Sequence, residues 1–288
     1  MRQEGRIIGL EEWLLTPAGR YLLAWEREQV DRTVADLFGF HAVQLGWPCL
    51  DALRHNRMPH RWVMLDRPPG SGQAGPQTLL HAPLPEGDEP SSAPQPTAHA
   101  VVADFHALPF ETQSLDLVVL PHSLELAGDP HQTLREVERV LVPEGKVVIL
   151  GFNPASLWGL QQRCARMGMR LGLGAPPLPE MGEFIGYWRL RDWLRLLNFE
   201  IEGGRFGCYR PLLRTQSWLD RYRWMEPAGD RWWPVLGAVY FLVAVKRVRG
   251  MRLIGPAWKQ RQRAKPAPAV VARRERHPPS NASGPGSS

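Results

Sequence analysis

The chain has 288 residues, 43% of them hydrophobic, enough for one large core or two small ones. Its net charge of +6 lies wholly in residues 256–288, where seven Lys or Arg stand against Glu275, so a specific nucleic-acid reader is not expected of the charge-balanced body before them. Cys49, Cys164 and Cys208 share no CxxC or metal-ligand spacing, which speaks against a disulfide framework or a metal site, and the amino end MRQEGRIIGLEEW has no signal-length apolar run.

Thr16-Pro17 offers an N-cap and a first-turn proline, and Leu23, Val30, Val34 and Leu37 recur at helical spacing until Gly39. His41 to Leu45 reads as the first strand, followed by Gly46-Trp47-Pro48, a turn with a single glycine. Arg61 to Leu65 reads as the second strand, closed by Asp66. Its distance beyond Gly46 suits the acidic residue that holds ribose hydroxyls about 20 residues after a glycine turn, and equally a solvated loop aspartate. Residues 67–99 contain eight prolines and four glycines without periodicity, which predicts a disordered insertion or a flap.

Val101-Val102 is a short apolar run closed by Asp104, and Leu115 to Leu120 is nearly continuous, as strands buried on both faces of a parallel sheet read. Asp129-Pro130 then starts a helix in which Leu134, Val137 and Leu141 face inward, leaving Arg135, Glu136, Glu138 and Arg139 for the wet face. Pro143-Glu144-Gly145 breaks it, and Lys146 to Phe152 returns as a strand. Strand, helix, strand is a crossover unit, and such units imply an open α/β sheet with ligands bound outside the carboxyl ends of its strands.

Asp104 with Leu108-Pro109-Phe110, then Leu115-Asp116, then LREVERVLVPEGKVVI resembles the middle of a class I S-adenosylmethionine-dependent methyltransferase of the type 11 group. The resemblance implies a doubly wound, mostly parallel seven-stranded sheet, the Rossmann-like methyltransferase fold, with an antiparallel final strand. It also implies S-adenosyl-L-methionine as cofactor, with Gln44, Gly46, Asp66, Asp104, Phe105 and Leu120 around it and Asp104 by the adenine. Where the family carries (Asp/Glu)-x-Gly-x-Gly, this chain has Gln44-Leu45-Gly46-Trp47-Pro48. Gln44 orients neighbours without charge, and Pro48 replaces a glycine and removes a donor, so the loop is degenerate. The motif that the family associates with methylating planar amines is absent at Leu120-Pro121-His122-Ser123.

Ala155 to Leu173 reads as a basic amphipathic helix carrying Trp158, Leu160 and Met167 among Arg163, Arg166 and Arg170, suited to an acidic substrate, a membrane surface or plain packing. Arg189 to Leu197 reads as a helix, and Phe199 to Phe206 and Val239 to Lys246 as the last strands, the latter resembling the family's final antiparallel strand. Between them Trp218, Trp224, Trp232 and Trp233 stand among Arg210, Arg214, Arg221, Arg223 and Arg231, close to Arg205. That mixture suits a ligand with an apolar body and an anionic group, and equally a core closed over a sheet edge.

The expected organisation is a methyltransferase-like domain over 1–255, with an insertion at 67–99 and a Trp/Arg-rich cap at 209–235, then a disordered basic tail at 256–288. The longest apolar segment, Trp232 to Val245, is shorter than the roughly 20 residues of a membrane span, so a cytoplasmic protein is expected. Methyl transfer from a sulfonium is an in-line displacement that needs positioning more than a fixed set of catalytic groups. His122 and Glu125, just past the fourth strand, are the weak candidates for a base. The expected function is methyl transfer to a small or amphiphilic acceptor, with peripheral membrane contact. The alternatives are a binding or regulatory module that lost efficient cofactor use at Gly46–Pro48, and RNA methylation aided by the tail.

Overall fold

The computed structural model describes residues 13–66, 99–170, 178, 183–213 and 215–247. The expectations for residues 67–98, for Arg214 and for the tail fall outside them. Contacts divide the chain between Arg249 and Gly250, and every described residue belongs to the first part.

The elements run α1 (Pro17–Val34), β1 (His41–Leu45), β2 (His60–Leu65), β3 (His99–Val102), β4 (Leu115–Pro121), α2 (Ser123–Leu126), α3 (Pro130–Val140), β5 (Leu141–Phe152), α4 (Leu157–Arg170), α5 (Tyr187–Leu196), β6 (Phe199–Gly207), α6 (Gln216–Arg221), α7 (Met225–Trp232), a 3₁₀ turn (Pro234–Leu236) and β7 (Val239–Lys246). The strands form one seven-stranded sheet in the order β3-β2-β1-β4-β5-β7-β6. All neighbours pair in parallel except β5–β7 and β6–β7. β1 and β4 thus lie side by side at the point where the strand order reverses, and their carboxyl ends open the crevice in which such sheets bind ligands.

Alternation along the strands divides the core. Leu117, Val119, Val148 and Leu150 pack with Leu22, Val30 and Val34 of α1 on one face. Val118, Leu120, Val147 and Ile149 pack with Leu134, Val137 and Val140 of α3 and Leu190 and Leu194 of α5 on the other. Burying each such side chain contributes about 1.5–3 kcal/mol, so a continuous β1–β4–β5 centre holds both layers.

α3 starts where its cap predicts: the Asp129 carboxylate accepts from the His131 and Gln132 amides at 2.9 and 3.2 Å. Its Glu136 and Arg139 are not a wet face. Arg139 donates to the Leu108 and Phe110 carbonyls at 3.0 and 2.9 Å and pairs with Glu136, which accepts from the Leu108 amide at 3.0 Å. These half-buried residues clamp the Leu-Pro-Phe segment onto α3, satisfying backbone groups that have no strand partner. β5 begins at Leu141, so the proline-glutamate-glycine stretch lies inside a strand that follows the helix without a gap. On α1 Leu22 is the fully buried residue and Leu23 is half-buried, one position away from the expected stripe.

Candidate active site

The turn after β1 is held from within. Gln44, fully buried, donates through Nε2 to the carbonyls of Gly46, Trp47 and Leu50 at 3.1, 2.9 and 2.7 Å, and its Oε1 accepts from the Ala52 amide at 2.9 Å. Gly46 and Trp47 both adopt left-handed backbone, φ 68° and 42°. That is routine for glycine and costs a tryptophan of the order of 1–2 kcal/mol. The strained turn sends the Trp47 indole inward, where its ring lies 4.2 Å from that of His122.

His122 follows β4, also left-handed at φ 53°, and its ring sits between Trp47 and Phe152, 4.3 Å from the latter. Its Nε2 meets Oε1 of Glu26, on α1, at 2.6 Å, and its Nδ1 meets Oε2 of Glu125, in α2, at 3.0 Å. Glu125 Oε1 accepts from the Phe152 amide at 2.5 Å, and the Ser123 hydroxyl donates to the Leu45 carbonyl, tying α2 to the end of β1. All three ionisable side chains are buried. Burial alone would push the imidazole down, but the Glu26 carboxylate and hydrogen bonds to both carboxylates outweigh it and raise His122 to about 9. A carboxylate facing each ring nitrogen favours the protonated imidazole, which is a poor proton acceptor. Burial also raises the Glu125 carboxyl, against the pull of His122. Glu26 Oε2 and the Trp47 Nε1–H, both buried, lack a hydrogen-bond partner.

The remaining expected residues are spread over the other strand ends. Asp66 is exposed after β2. Asp104, after β3, is exposed, and its Oδ1 accepts from the His106 amide at 2.8 Å and faces His106 Nδ1 at 2.7 Å. Those two hydrogen bonds hold its carboxyl below the usual range. His106 Nε2 in turn accepts from the Asp129 amide at 3.0 Å, so Nδ1 carries the proton donated to Asp104. Phe105 is buried, its ring 3.5 Å from where a Cβ on Gly46 would sit, with Ser123 Oγ at 3.4 Å. Leu120 lies in the core with Val43 and Leu45 rather than at the crevice. Two members of the His122 cluster were not among the expected residues, Glu26 and Trp47. The signal for Glu26 was present: Leu22, Glu26 and Val30 follow one another at intervals of four, which puts a carboxylate in the apolar stripe of α1.

Beyond the carboxyl end of β5 an open cleft of about 370 Å³ lies between α4 and the α7–3₁₀ corner. Leu157, Leu160, Met225, Trp233 and Leu236 line it, with Arg163. In the core beneath, the Phe152 ring lies 4.3 Å from that of His122 and 6.5 Å from that of Trp158 on α4. Trp158 is buried and its Nε1 donates to the Arg210 carbonyl at 2.6 Å.

A mostly parallel sheet in this order, with acids closing β2 and β3 and a crevice at β1–β4, defines a doubly wound domain of the methyltransferase type. Residues 86–149 match the family described as methyltransferase domain, Methyltransf_11. The chain is 32% identical over 179 residues to the uncharacterised protein YafS of Escherichia coli strain K12, an alignment covering 61% of this chain and 66% of YafS. It is 41% identical over 68 residues to a malonyl-[acyl-carrier protein] O-methyltransferase of Halorhodospira halophila, covering 24% and 23% of the two chains. The chain therefore spans just under two thirds of the first of these relatives and about a quarter of the second. A solved S-adenosylmethionine-dependent methyltransferase of Thermotoga maritima shares the fold, with a TM-score of 0.53 at 13% identity over 82% of this chain and 94% of that one.

S-adenosylmethionine is the cofactor of this family, and its two halves would meet different surroundings here. The exposed carboxylates of Asp66 and Asp104 are acceptors of the kind that ribose hydroxyls and an adenine amine need, so the donor set fits the nucleoside. Around Gly46, Phe105 and Ser123 stand within van der Waals reach of where a Cβ would sit, and the buried Trp47 ring lies against that of His122.

Proposed function

We propose that the chain transfers a methyl group from S-adenosylmethionine to an amphiphilic acceptor lodged in the cleft between α4 and the α7–3₁₀ corner. The observation that carries this reading is the position and lining of that cleft: it opens just past the carboxyl end of β5, at Pro154 to Leu157, and its lining is mostly apolar with the Arg163 guanidinium. Bound S-adenosylmethionine supplies a methyl group on a sulfonium, ready for in-line displacement.

The chain's own residues would do the positioning. Asp104, oriented by His106, and Asp66 would hold the nucleoside. Leu157, Leu160, Trp233 and Leu236 would exclude water from an apolar acceptor body, and Arg163 would meet its anionic group. His122, held protonated between two carboxylates, would fix α1 over the strand ends instead of taking a proton. A thiolate, an enolate or another acceptor whose attacking atom is already deprotonated suits a site without a free base.

The test is transfer of label from methyl-labelled S-adenosylmethionine into a lipid extract by the full-length protein, with Asp104→Ala alongside. Label in the extract that falls with Asp104→Ala supports the reading, and label appearing only in the water-soluble fraction contradicts the acceptor class. The second reading, a binding module without turnover, is favoured by one observation, the single-glycine turn whose Trp47 ring is buried against His122. It requires that neither fraction gains label while the protein remains folded.

A further inference from the structure

α4 carries its apolar row on the outside. Trp158 and Gln162 face the core, while Leu157, Leu160, Cys164 and Met167, spaced three, four and three residues apart, form one exposed stripe. Leu160 and Met167 are 55% and 63% exposed. A surface helix of a water-soluble fold shows the opposite arrangement. Across the cleft Trp232, Trp233, Val235 and Leu236 are exposed as well, the first at 70%. Tryptophan with leucine and methionine on a rim is the composition of a surface that sits at a lipid headgroup boundary, where the ring is half apolar and half wet.

The charges agree with one kind of bilayer. From Asn153 to Pro179 the sequence contains three arginines and no acidic residue. On the other wall the acids are occupied within the fold: Glu226 accepts from the Tyr21 hydroxyl and from the Cys208 and Tyr209 amides, and Asp230 pairs with Arg205 at 4.0 Å. Arg163 and Arg166 of α4 stand exposed beside the apolar stripe.

We propose that the face formed by α4 and the α7–3₁₀ corner docks on an anionic lipid bilayer, with the leucine, methionine and tryptophan side chains in the headgroup–acyl boundary and Arg163 and Arg166 on lipid phosphates. Docking places the mouth of the cleft against the membrane, so that an amphiphile passes between bilayer and site without crossing water. The docking itself is independent of methyl transfer, and only the delivery step rests on the function proposed above.

The test is co-sedimentation of the full chain with vesicles of phosphatidylcholine alone or of phosphatidylcholine with phosphatidylglycerol. Brominated acyl chains report by quenching whether tryptophans enter the boundary. Residues 256–288 carry the whole net positive charge of the chain and would hold anionic vesicles by charge alone; that attraction disappears in high salt. The proposal expects binding to the mixed vesicles, tryptophan quenching, and a loss of about tenfold in partition for Leu160→Ser with Leu236→Ser. A similar loss is expected for Arg163→Glu with Arg166→Glu, while thermal unfolding stays at the wild-type temperature. All four sites are on the surface, so these variants are expected to fold. Binding that survives both pairs of substitutions, or that salt abolishes with no quenching, assigns the attraction to the tail and overturns the proposal. So does self-association lost with Leu160→Ser in protein that ignores vesicles, which would make the face a protein interface. Titration of S-adenosylmethionine in the same samples separates the two readings: no cofactor binding with vesicle binding intact sinks the methyl-transfer reading alone.

Discussion

At Gln44 an amide stands where the family carries an acid, and the turn around it is built for the amide. Three carbonyls converge on Nε2, and only the Ala52 N–H faces Oε1. Gln44→Glu would set a carboxylate against those carbonyls in a buried site, and it is expected to cost about 3 kcal/mol or more. Gln44→Met, which leaves the same backbone groups unpaired without adding a charge, should cost less. Denaturant unfolding of the two variants checks the order, and a Glu variant as stable as wild type would show that the turn repacks. The His122 cluster makes a second prediction. Its folded-state value, about 9, lies above the ordinary 6.5, so its contribution to stability is complete below 6.5 and is lost as pH rises through 9. The raised Glu125 carboxyl acts with the same sign, its share falling as pH climbs above 4.5. The stability advantage of wild type over Glu26→Gln should therefore shrink between neutral and alkaline pH. Melting temperatures of both proteins across that range measure it, and a constant difference would mean that His122 does not change its charge between those limits.

The elements were legible to different degrees, and the reasons are physical. β1, β4 and β7 are buried on nearly every residue, so their apolar runs stand out, and α3 carries both a cap and a clean stripe. The α1 stripe read from Leu23 hides Glu26, whereas read from Leu22 it exposes it. The partner that explains a buried glutamate lies 96 residues away at His122, a distance that no local pattern spans. The tryptophans of 209–234 were equally consistent with core and surface because aromatic composition does not set direction; Trp218, Trp224, Trp232 and Trp233 all proved at least half exposed. Glu136 and Arg139 read as solvated because helical spacing places them opposite Leu134 and Val137, while a loop packed over that side gives them backbone partners. Arg139→Ala would free the Leu108 and Phe110 carbonyls together, at an expected cost of about 1–2 kcal/mol for half-buried groups. Amide hydrogen exchange should accelerate around Leu108 more than in β4. Uniform acceleration would show that the clamp does not act on the loop specifically.

At the scale of the whole molecule, the seven-stranded sheet brings the ends of β1, β2, β3 and β4 to one crevice and the cleft beyond β5 to its side. α1 closes the crevice through Glu26, so any ligand entering between β1 and β4 competes with the fold's own Trp47 and His122. This arrangement predicts weak cofactor affinity with an uneven dependence on the acids. Asp104, oriented by His106, should matter more than Asp66, whose carboxylate no side chain among the described residues orients in the same way. The most direct measurement is calorimetric titration of the full-length protein with S-adenosylmethionine, repeated on Asp104→Ala and Asp66→Ala. The expected result is a saturable signal that Asp104→Ala weakens by about 1–3 kcal/mol, or roughly five- to a hundredfold and more, with a smaller change for Asp66→Ala. A flat titration at about 1 mM ligand, with no rise in melting temperature of the folded protein, would contradict it.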